Sequence, residues 1–72
     1  MRAKEWIAAY SEQLGVEPPT ADELKTILDL AAEAAHASER IAAPVACWLS
    51  ARSDRSLEES LVLARDMTDP AA

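Results

Sequence analysis

The amino-acid sequence predicts an all-α fold, a small bundle of four helices. Apolar residues recur every three or four positions over long stretches of the chain, a spacing that places them on one side of a helix. Proline and the single glycine fall at the ends of these stretches or between them, and no stretch alternates apolar and polar residues as a strand would. The four predicted helices span about residues 3–14, 21–40, 44–52 and 57–67.

The first predicted helix is amphipathic. Its apolar positions, which share one side of a helical wheel, are Ala3, Trp6, Ile7, Tyr10 and Leu14. Gly15 follows at the position where a residue in the left-handed conformation usually ends a helix. The next residues, Glu17-Pro18-Pro19, cannot continue a helix, so a stiff linker is expected.

The second predicted helix begins after Thr20. Thr20 and Glu23 have the spacing of a capping box, in which each side chain bonds the backbone amide of the other residue. The expected core-facing stripe consists of Leu24, Ile27, Leu28, Ala31, Ala34, Ala35 and Ser38, with Leu30 on its flank. Pro44 disfavours a helical Ala43, so this helix is expected to end near Arg40.

The third predicted helix is short and opens with Pro44 at its first position. From Pro44 to Arg52, only Ser50 and Arg52 are polar, and a helix that is apolar nearly all round is normally buried. We therefore expect this helix at the centre of the bundle. Its best candidates for the middle of the core are Val45, Trp48 and Leu49.

The fourth predicted helix starts after a polar turn, where Ser56 and Glu59 repeat the capping-box spacing. Its expected inward stripe is Leu57, Leu61 and Ala64. Three further apolar residues, Val62, Leu63 and Met67, project to the sides, where either the first helix covers them or they form a contact surface. The tail, residues 68–72, has nothing to anchor it and is expected to fray.

Length and composition limit the functions that the chain can have. Its 72 residues predict a single helical domain, 1–72, with a thin core, so a protein partner or a homodimer is expected. The net charge of -6 opposes binding to nucleic acid. The mixed polar and apolar start predicts no membrane segment, and the single cysteine, which allows no internal disulfide, fits the cytoplasm.

One polar cluster could carry chemistry: Asp29, Glu33, His36 and Arg40 on one face of the second helix, with Pro44 after it. Glu33-x-x-His36 has the spacing of di-iron helical bundles, although such a site needs a second motif of this kind and His36 is the only histidine. The predicted function is a non-catalytic interaction or accessory module. The alternative is a small metal-binding or catalytic protein that uses Glu33 and His36. The favoured interpretation is a solvated face with local ion pairs. A third is that His36 and Arg40 bond the carbonyls at the end of the second helix.

Catalysis through Cys47 is also conceivable, because an imidazole such as that of His36 can activate a thiol. The sequence supplies no orienting third group and no glycine-rich turn, so a small buried residue is the favoured interpretation of Cys47. No catalytic residue and no cofactor is assigned, and the chain is predicted not to be an enzyme.

The most distinctive segments are Leu30-Ala31-Ala32-Glu33-Ala34-Ala35-His36, then Glu39-Arg40-Ile41-Ala42-Ala43-Pro44, and then Trp48-Leu49. With Glu5-Trp6 and Leu14-Gly15, they resemble a family of short, uncharacterised helical proteins of GC-rich bacteria. The chain departs from that pattern in having Trp48 where many members have Phe, and in lacking the glycine-rich turn that often follows Leu49.

Some members of that family carry the name of, or are fused to, molybdopterin-guanine dinucleotide biosynthesis protein. The sequence has neither the phosphate-binding loop nor the α/β pattern of a nucleotidyltransferase. The resemblance therefore implies a non-catalytic accessory or docking module associated with the molybdenum cofactor. It also marks His36, Arg40 and Pro44 as motif positions.

Overall fold

The structure is a computed structural model that describes residues 1–68. It has the predicted all-α architecture, with helices α1 (Ala3–Leu14), α2 (Ala21–Ala37), α3 (Ala42–Arg52) and α4 (Leu57–Thr68). No strand occurs in this part of the chain. Thr68, expected in the frayed tail, instead ends α4, where its hydroxyl donates to the Ala64 carbonyl at 2.7 Å. The rest of the predicted frayed segment, 69–72, lies outside the described residues.

The predicted stop signal of α1 and the predicted start signal of α2 are confirmed. Gly15 has φ 75°, and the amides of Gly15 and Val16 donate to the carbonyls of Glu12 and Ser11, which is a Schellman motif. A linker, residues 15–20, leads to the capping box of α2. There the Thr20 amide donates to the Glu23 carboxylate at 2.8 Å, and the Glu23 amide donates to the Thr20 hydroxyl at 3.1 Å.

The junction of α2 and α3 differs from the prediction. Helix α2 ends at Ala37 instead of Arg40, because the chain leaves the helical conformation at Ser38 (φ -137°, ψ -105°). Helix α3 then begins at Ala42, two residues before Pro44. A proline in the first turn of a helix loses no hydrogen bond, because the amides there have no partner within the helix. Pro44 therefore does not have to occupy the first position.

Helix α2 is the centre of the bundle, since α3 and α4 each pack against it and touch each other only sparsely. The prediction that α3 is central was wrong. Its three expected core residues are all more than half exposed, and no residue of α3 is buried. These residues are Val45, Trp48 and Leu49. The physical reason is that one side of α3 contacts α2, whereas α4 touches α3 only sparsely and leaves most of its remaining surface uncovered.

The core is small. Leu30 of α2 and Leu61 of α4 are its two buried apolar residues in the described chain, at 2% and 8% exposure. Leu61 was predicted to face inward, but Leu30 was placed on a flank. The packed side of α2 is rotated relative to the expected stripe, because α4 lies beside the flank that carries Leu30. Leu28 and Ser38, which were expected inside, are exposed.

Helix α1 stands apart from the other three helices. No Cα atom of α1 lies within 8 Å of a Cα atom in α2, α3 or α4. The radius of gyration is 13.1 Å, compared with about 11 Å for a compact chain of this length. The bundle therefore has three packed helices, with a fourth held at one end by the linker. Within residues 1–68, no helix combines the length and the apolarity needed to cross a bilayer.

Candidate functional site

The two carboxylates of the predicted cluster form ion pairs with cations outside the cluster. Lys25 Nζ lies 2.8 Å from Asp29 Oδ2, one helical turn away, and this hydrogen bond lowers the pKa of Asp29. Glu33 Oε1 lies 3.8 Å from Nε of Arg65 on α4. The expected local ion pair of Asp29 is thus present, whereas Glu33 pairs across two helices. Glu33 therefore links α2 to α4.

The other members of the cluster are His36, Arg40 and Pro44, and all three are exposed. Within residues 1–68, no side-chain hydrogen bond or ion pair joins any two of the five cluster residues. The suggested bonds from His36 and Arg40 to the end of α2 are also missing there. The Ser38 amide donates to Ala34, and the Ala42 and Ala43 amides donate to Glu39 and Arg40. The backbone closes this corner without the two side chains.

The metal and thiol alternatives gain no support from the geometry. The described residues contain no group of three or more His, Cys, Asp or Glu side chains placed to hold a metal ion. Cys47 is half-buried between α2 and α3, and its Sγ donates to the Ile27 carbonyl at 3.9 Å. Burial raises the pKa of the Cys47 thiol, which is the opposite of what an activated nucleophile requires.

An open apolar groove lies between α3 and α4, with a volume of about 700 Å³. We call it the α3–α4 groove. Its floor is formed by Leu30, Ala34 and Ala37 of α2. Its α3 wall contains Val45 and Leu49, and its α4 wall contains Leu63 and Met67. The groove exists because α3 and α4 pack on α2 side by side without closing on each other.

Polar groups occur mainly at the edges of the α3–α4 groove. Glu33, held by Arg65, lies on one side, and Arg55 lies at the end formed by the turn between α3 and α4. Of the predicted cluster, Glu33 alone lines the groove. Sequence reasoning did not identify the groove as a site. The available signal was the set of apolar positions outside the expected stripe of α4, which includes Leu63 and Met67.

A second exposed apolar surface lies on α1. Trp6 and Tyr10 stack with their ring centroids 4.9 Å apart and an interplanar angle of 29°, and Leu14 continues the row one turn later. All three side chains are at least half exposed. We call this row the α1 stripe. The adjacent side of α1, with Ile7, borders a small pocket formed by the linker and the start of α2.

Trp48 belongs to neither surface. It lies on α3 outside the groove lining, and the Arg52 guanidinium stands 4.5 Å from the centroid of its ring. This cation–π contact explains how a large aromatic side chain is accommodated at 57% exposure. The expectation that Trp48 lies in the core was wrong, and Trp6 and Tyr10 on the apolar side of α1 are exposed as well.

The model of one protein family, described as a domain of unknown function (DUF6457), matches residues 1–71. The chain belongs to the DUF6457 family. No curated protein and no solved structure is significantly similar to it. The resemblance to an uncharacterised family is confirmed at that level. Membership of DUF6457 adds nothing about the molybdenum cofactor or about the source of the chain.

For this DUF6457 chain, the geometry moves attention from the predicted cluster to two apolar surfaces. The cluster supplies one ion pair across helices, one within a helix and three exposed side chains. The α3–α4 groove and the α1 stripe are larger and lack partners among the described residues. They are the candidate functional surfaces.

Proposed function

We propose that this DUF6457 chain is a non-catalytic interaction module that binds an amphipathic helix in its α3–α4 groove. The observation that carries the proposal is the groove itself, an open apolar channel between two helices that share a third as their floor. Laying the apolar face of a helix into such a groove is a recurring mode of protein recognition. A helix bound there would complete a four-helix bundle.

The balance of buried and exposed apolar residues supports this role. Two apolar residues are buried in the described chain, whereas Val45, Leu49, Leu63 and Met67 of the groove walls are each at least 40% exposed. Exposed apolar residues that stand singly need no explanation, but residues that line one continuous surface mark interaction sites.

The titratable groups near the groove also favour binding over chemistry. Glu33 is paired with Arg65, and the Cys47 thiol has a raised pKa and lies outside the groove lining. A catalytic site would gather an acid, a base or a nucleophile with a pKa suited to proton transfer. The groups that line this groove offer a bound helix apolar contact with one charge pair at the edge.

A synthetic amphipathic peptide tests the proposal. The peptide carries leucine at the i, i+3, i+4 and i+7 positions of a helix and lysine elsewhere, and its binding to the full chain is followed by fluorescence anisotropy. We expect Leu63→Asp to weaken binding by about tenfold or more, because a charge is then placed on the groove wall. Val62→Asp is the matched control, since Val62 is the neighbouring exposed residue and does not line the groove.

A second peptide with the same composition and a scrambled pattern controls for attraction between lysine and the acidic chain. Equal binding of both peptides, or equal losses in the Leu63 and Val62 variants, would overturn the proposal. Circular dichroism of each variant checks that α2, α3 and α4 remain helical.

We further propose, from the resemblance of residues 30–49 alone, that a partner of the module is an enzyme of molybdopterin-guanine dinucleotide biosynthesis. This part concerns the identity of a partner and not the surface it uses. Isothermal titration of that purified enzyme with the full chain measures the interaction. Saturable heat with a defined stoichiometry is expected, and its absence at low salt would refute the association.

A further inference from the structure

We infer that the helix bound in the α3–α4 groove is α1 of a second copy of this chain, and that two chains exchange α1 reciprocally. The inference rests on the proposed function, because it names the occupant of the same groove. Four observations carry it: the isolation of α1, the matching lengths of the two surfaces, the place where the linker holds α1, and the excess surface of the single chain.

No other helix of the described chain packs against α1. It has 12 residues, and isolated helices shorter than about 12 to 15 residues are marginal in water. In proteins, most of the stability of a helix comes from packing of its apolar face. The α1 stripe, with Trp6 55% exposed, lacks that packing within the described chain. A surface that covers this stripe is needed to hold α1 in its helical form.

The α1 stripe and the α3–α4 groove have the same length. From Trp6 to Leu14 the helix rises by about 12 Å, at 1.5 Å per residue. The α4 wall of the groove runs from Ser60 to Thr68, which is also about 12 Å. The stripe presents two stacked aromatic rings and a leucine, and the groove presents alanine, valine and leucine over most of its surface. The two surfaces therefore match in both length and chemistry.

The linker keeps α1 away from the groove of its own chain. Residues 15–20 join α1 to the N-terminal end of α2, where Ile7, Pro18 and Leu24 line a small pocket between the two helices and the linker. The groove begins at Leu30, about 13 Å further along α2. The Schellman motif and the two prolines restrict the linker, so it does not fold back freely. The groove that α1 can occupy is that of a neighbouring chain.

The surface of a single chain is too large for a compact monomer. The chain exposes 5883 Å², whereas a compact folded protein of 7.8 kDa exposes about 4,400 Å². The excess is about 1,500 Å² per chain, or about 3,000 Å² for two chains. Obligate dimers typically bury about 2,000 Å² or more. The excess is therefore of the size that an exchange of α1 helices would cover.

Reciprocal exchange also closes the assembly. Each chain offers one α1 stripe and one groove, so two chains related by a twofold axis satisfy both contacts at once. Each half of the resulting dimer would be a four-helix bundle, with α2, α3 and α4 from one chain and α1 from the other.

Sedimentation equilibrium of the full chain and four variants tests the inference. The wild type is expected at twice its monomer mass of 7.8 kDa. Trp6→Asp removes the stripe and Leu63→Asp removes the groove wall, and each is expected to raise the dimer dissociation constant by at least about tenfold. The matched controls Trp48→Asp and Val62→Asp change exposed residues outside both surfaces, and they are expected to remain dimers.

Mixing the two disabled variants gives the sharper result. The Trp6→Asp chain keeps an intact groove and the Leu63→Asp chain keeps an intact α1, so their equimolar mixture retains one complete contact. The mixture is expected to form a heterodimer, although neither variant dimerises alone. Failure of the mixture to associate at concentrations where the wild type is dimeric would overturn the exchange of α1.

A fluorescence measurement separates this inference from the proposed function. In the single-tryptophan variant Trp48→Phe, quenching by acrylamide reports on Trp6. A dimer that shields Trp6 supports the inference, and a monomer with Trp6 either exposed or shielded overturns it. If the amphipathic peptide still binds such a monomer through Leu63, the groove keeps its proposed function with a different occupant.

Discussion

At the scale of single residues, the fold depends on very few side chains. Leu30 and Leu61 are the two buried apolar residues among residues 1–68, and Ser11 and Ser60 are the two buried polar ones. A buried Leu contributes about 1.5 to 3 kcal/mol relative to an exposed one. With so few such residues, each contributes a large fraction of the free energy of unfolding.

Leu30→Ala is predicted to destabilise the chain far more than Leu28→Ala. The two residues lie on the same helix two positions apart, at 2% and 59% exposure. Removing the Leu30 side chain should lower the free energy of unfolding by about 2 to 5 kcal/mol. The exposed Leu28 should cost no more than about 0.5 kcal/mol. Urea denaturation measures both, and equal losses would contradict the assigned core.

Cys47 is predicted to react slowly with alkylating reagents at neutral pH. Burial raises the pKa of its thiol above the ordinary value of 9.0, so the thiolate is scarce. The rate of reaction with iodoacetamide should rise with pH to a midpoint above 9.0, and urea should return the midpoint to the ordinary value. A midpoint below 9.0 in the folded chain would show an activated thiol instead.

At the scale of helices, the sequence predicted those helix ends that are marked by a capping side chain or by glycine. Thr20 with Glu23, and Ser56 with Glu59, form the expected capping boxes, and Gly15 adopts the expected left-handed conformation. The end of α2 was missed because no side chain caps Ser38. There the backbone turns through bonds from the amides of Ala42 and Ala43, a pattern that has no residue-type signature.

Ser56→Ala is predicted to lower the free energy of unfolding by about 0.5 to 2 kcal/mol, because the first turn of α4 loses its cap. Bonds from the backbone and hydroxyl of Ser56 lower the pKa of Glu59 from its ordinary value of 4.5. A lowered folded pKa contributes stability above the ordinary value, and this is lost as pH falls through the folded pKa. Ser56→Ala keeps the bond from the backbone amide and removes the contribution of the hydroxyl, so the wild type should lose somewhat more stability with acid than the variant.

Thermal unfolding of the wild type and of Ser56→Ala, followed between neutral and acidic pH, measures this difference in acid sensitivity. Thr26→Ala is the control, because the Thr26 hydroxyl bonds the Asp22 carbonyl inside α2 and caps nothing. It should leave both the stability at neutral pH and the acid profile close to those of the wild type. Parallel acid profiles for wild type and Ser56→Ala would contradict the role given to the capping box.

The same scale explains why the core and the groove were harder to predict than the helices. Periodicity places residues on a helix face, but it does not say which face meets a neighbour. Leu28 and Leu30 are both apolar residues of α2, and the positions of α3 and α4 decide that Leu30 is buried and Leu28 is exposed. Similarly, the apolar composition of α3 indicated burial, whereas Val45 and Leu49 form a groove wall and Trp48 is exposed outside it.

At the scale of the whole molecule, charge and apolar surface oppose each other. The chain carries a net charge of -6, so two copies repel, while the α1 stripe and the α3–α4 groove favour association. The Debye length falls from about 10 Å at 0.1 M salt to about 3 Å at 1 M, so salt screens the repulsion and leaves the apolar contacts. The salt concentration therefore sets the balance between charge repulsion and apolar attraction.

Dimerisation is predicted to strengthen as salt is raised. Sedimentation across a series of sodium chloride concentrations measures the dissociation constant, which should decrease because the two acidic chains repel each other less. A dissociation constant that increases with salt would mean that attraction between opposite charges, and not apolar contact, holds the two chains together.

The separation of α1 from the other helices has a kinetic consequence. Backbone amides in segments with few tertiary contacts exchange their hydrogens with solvent much sooner than amides in a packed core. Amides of residues 3–14 should therefore exchange rapidly in dilute protein and slowly in concentrated protein, while those of α2 around Leu30 stay protected at both. If α1 becomes protected only in the dimer, the exchange rate of its amides depends on protein concentration. Hydrogen–deuterium exchange followed by mass spectrometry measures this dependence.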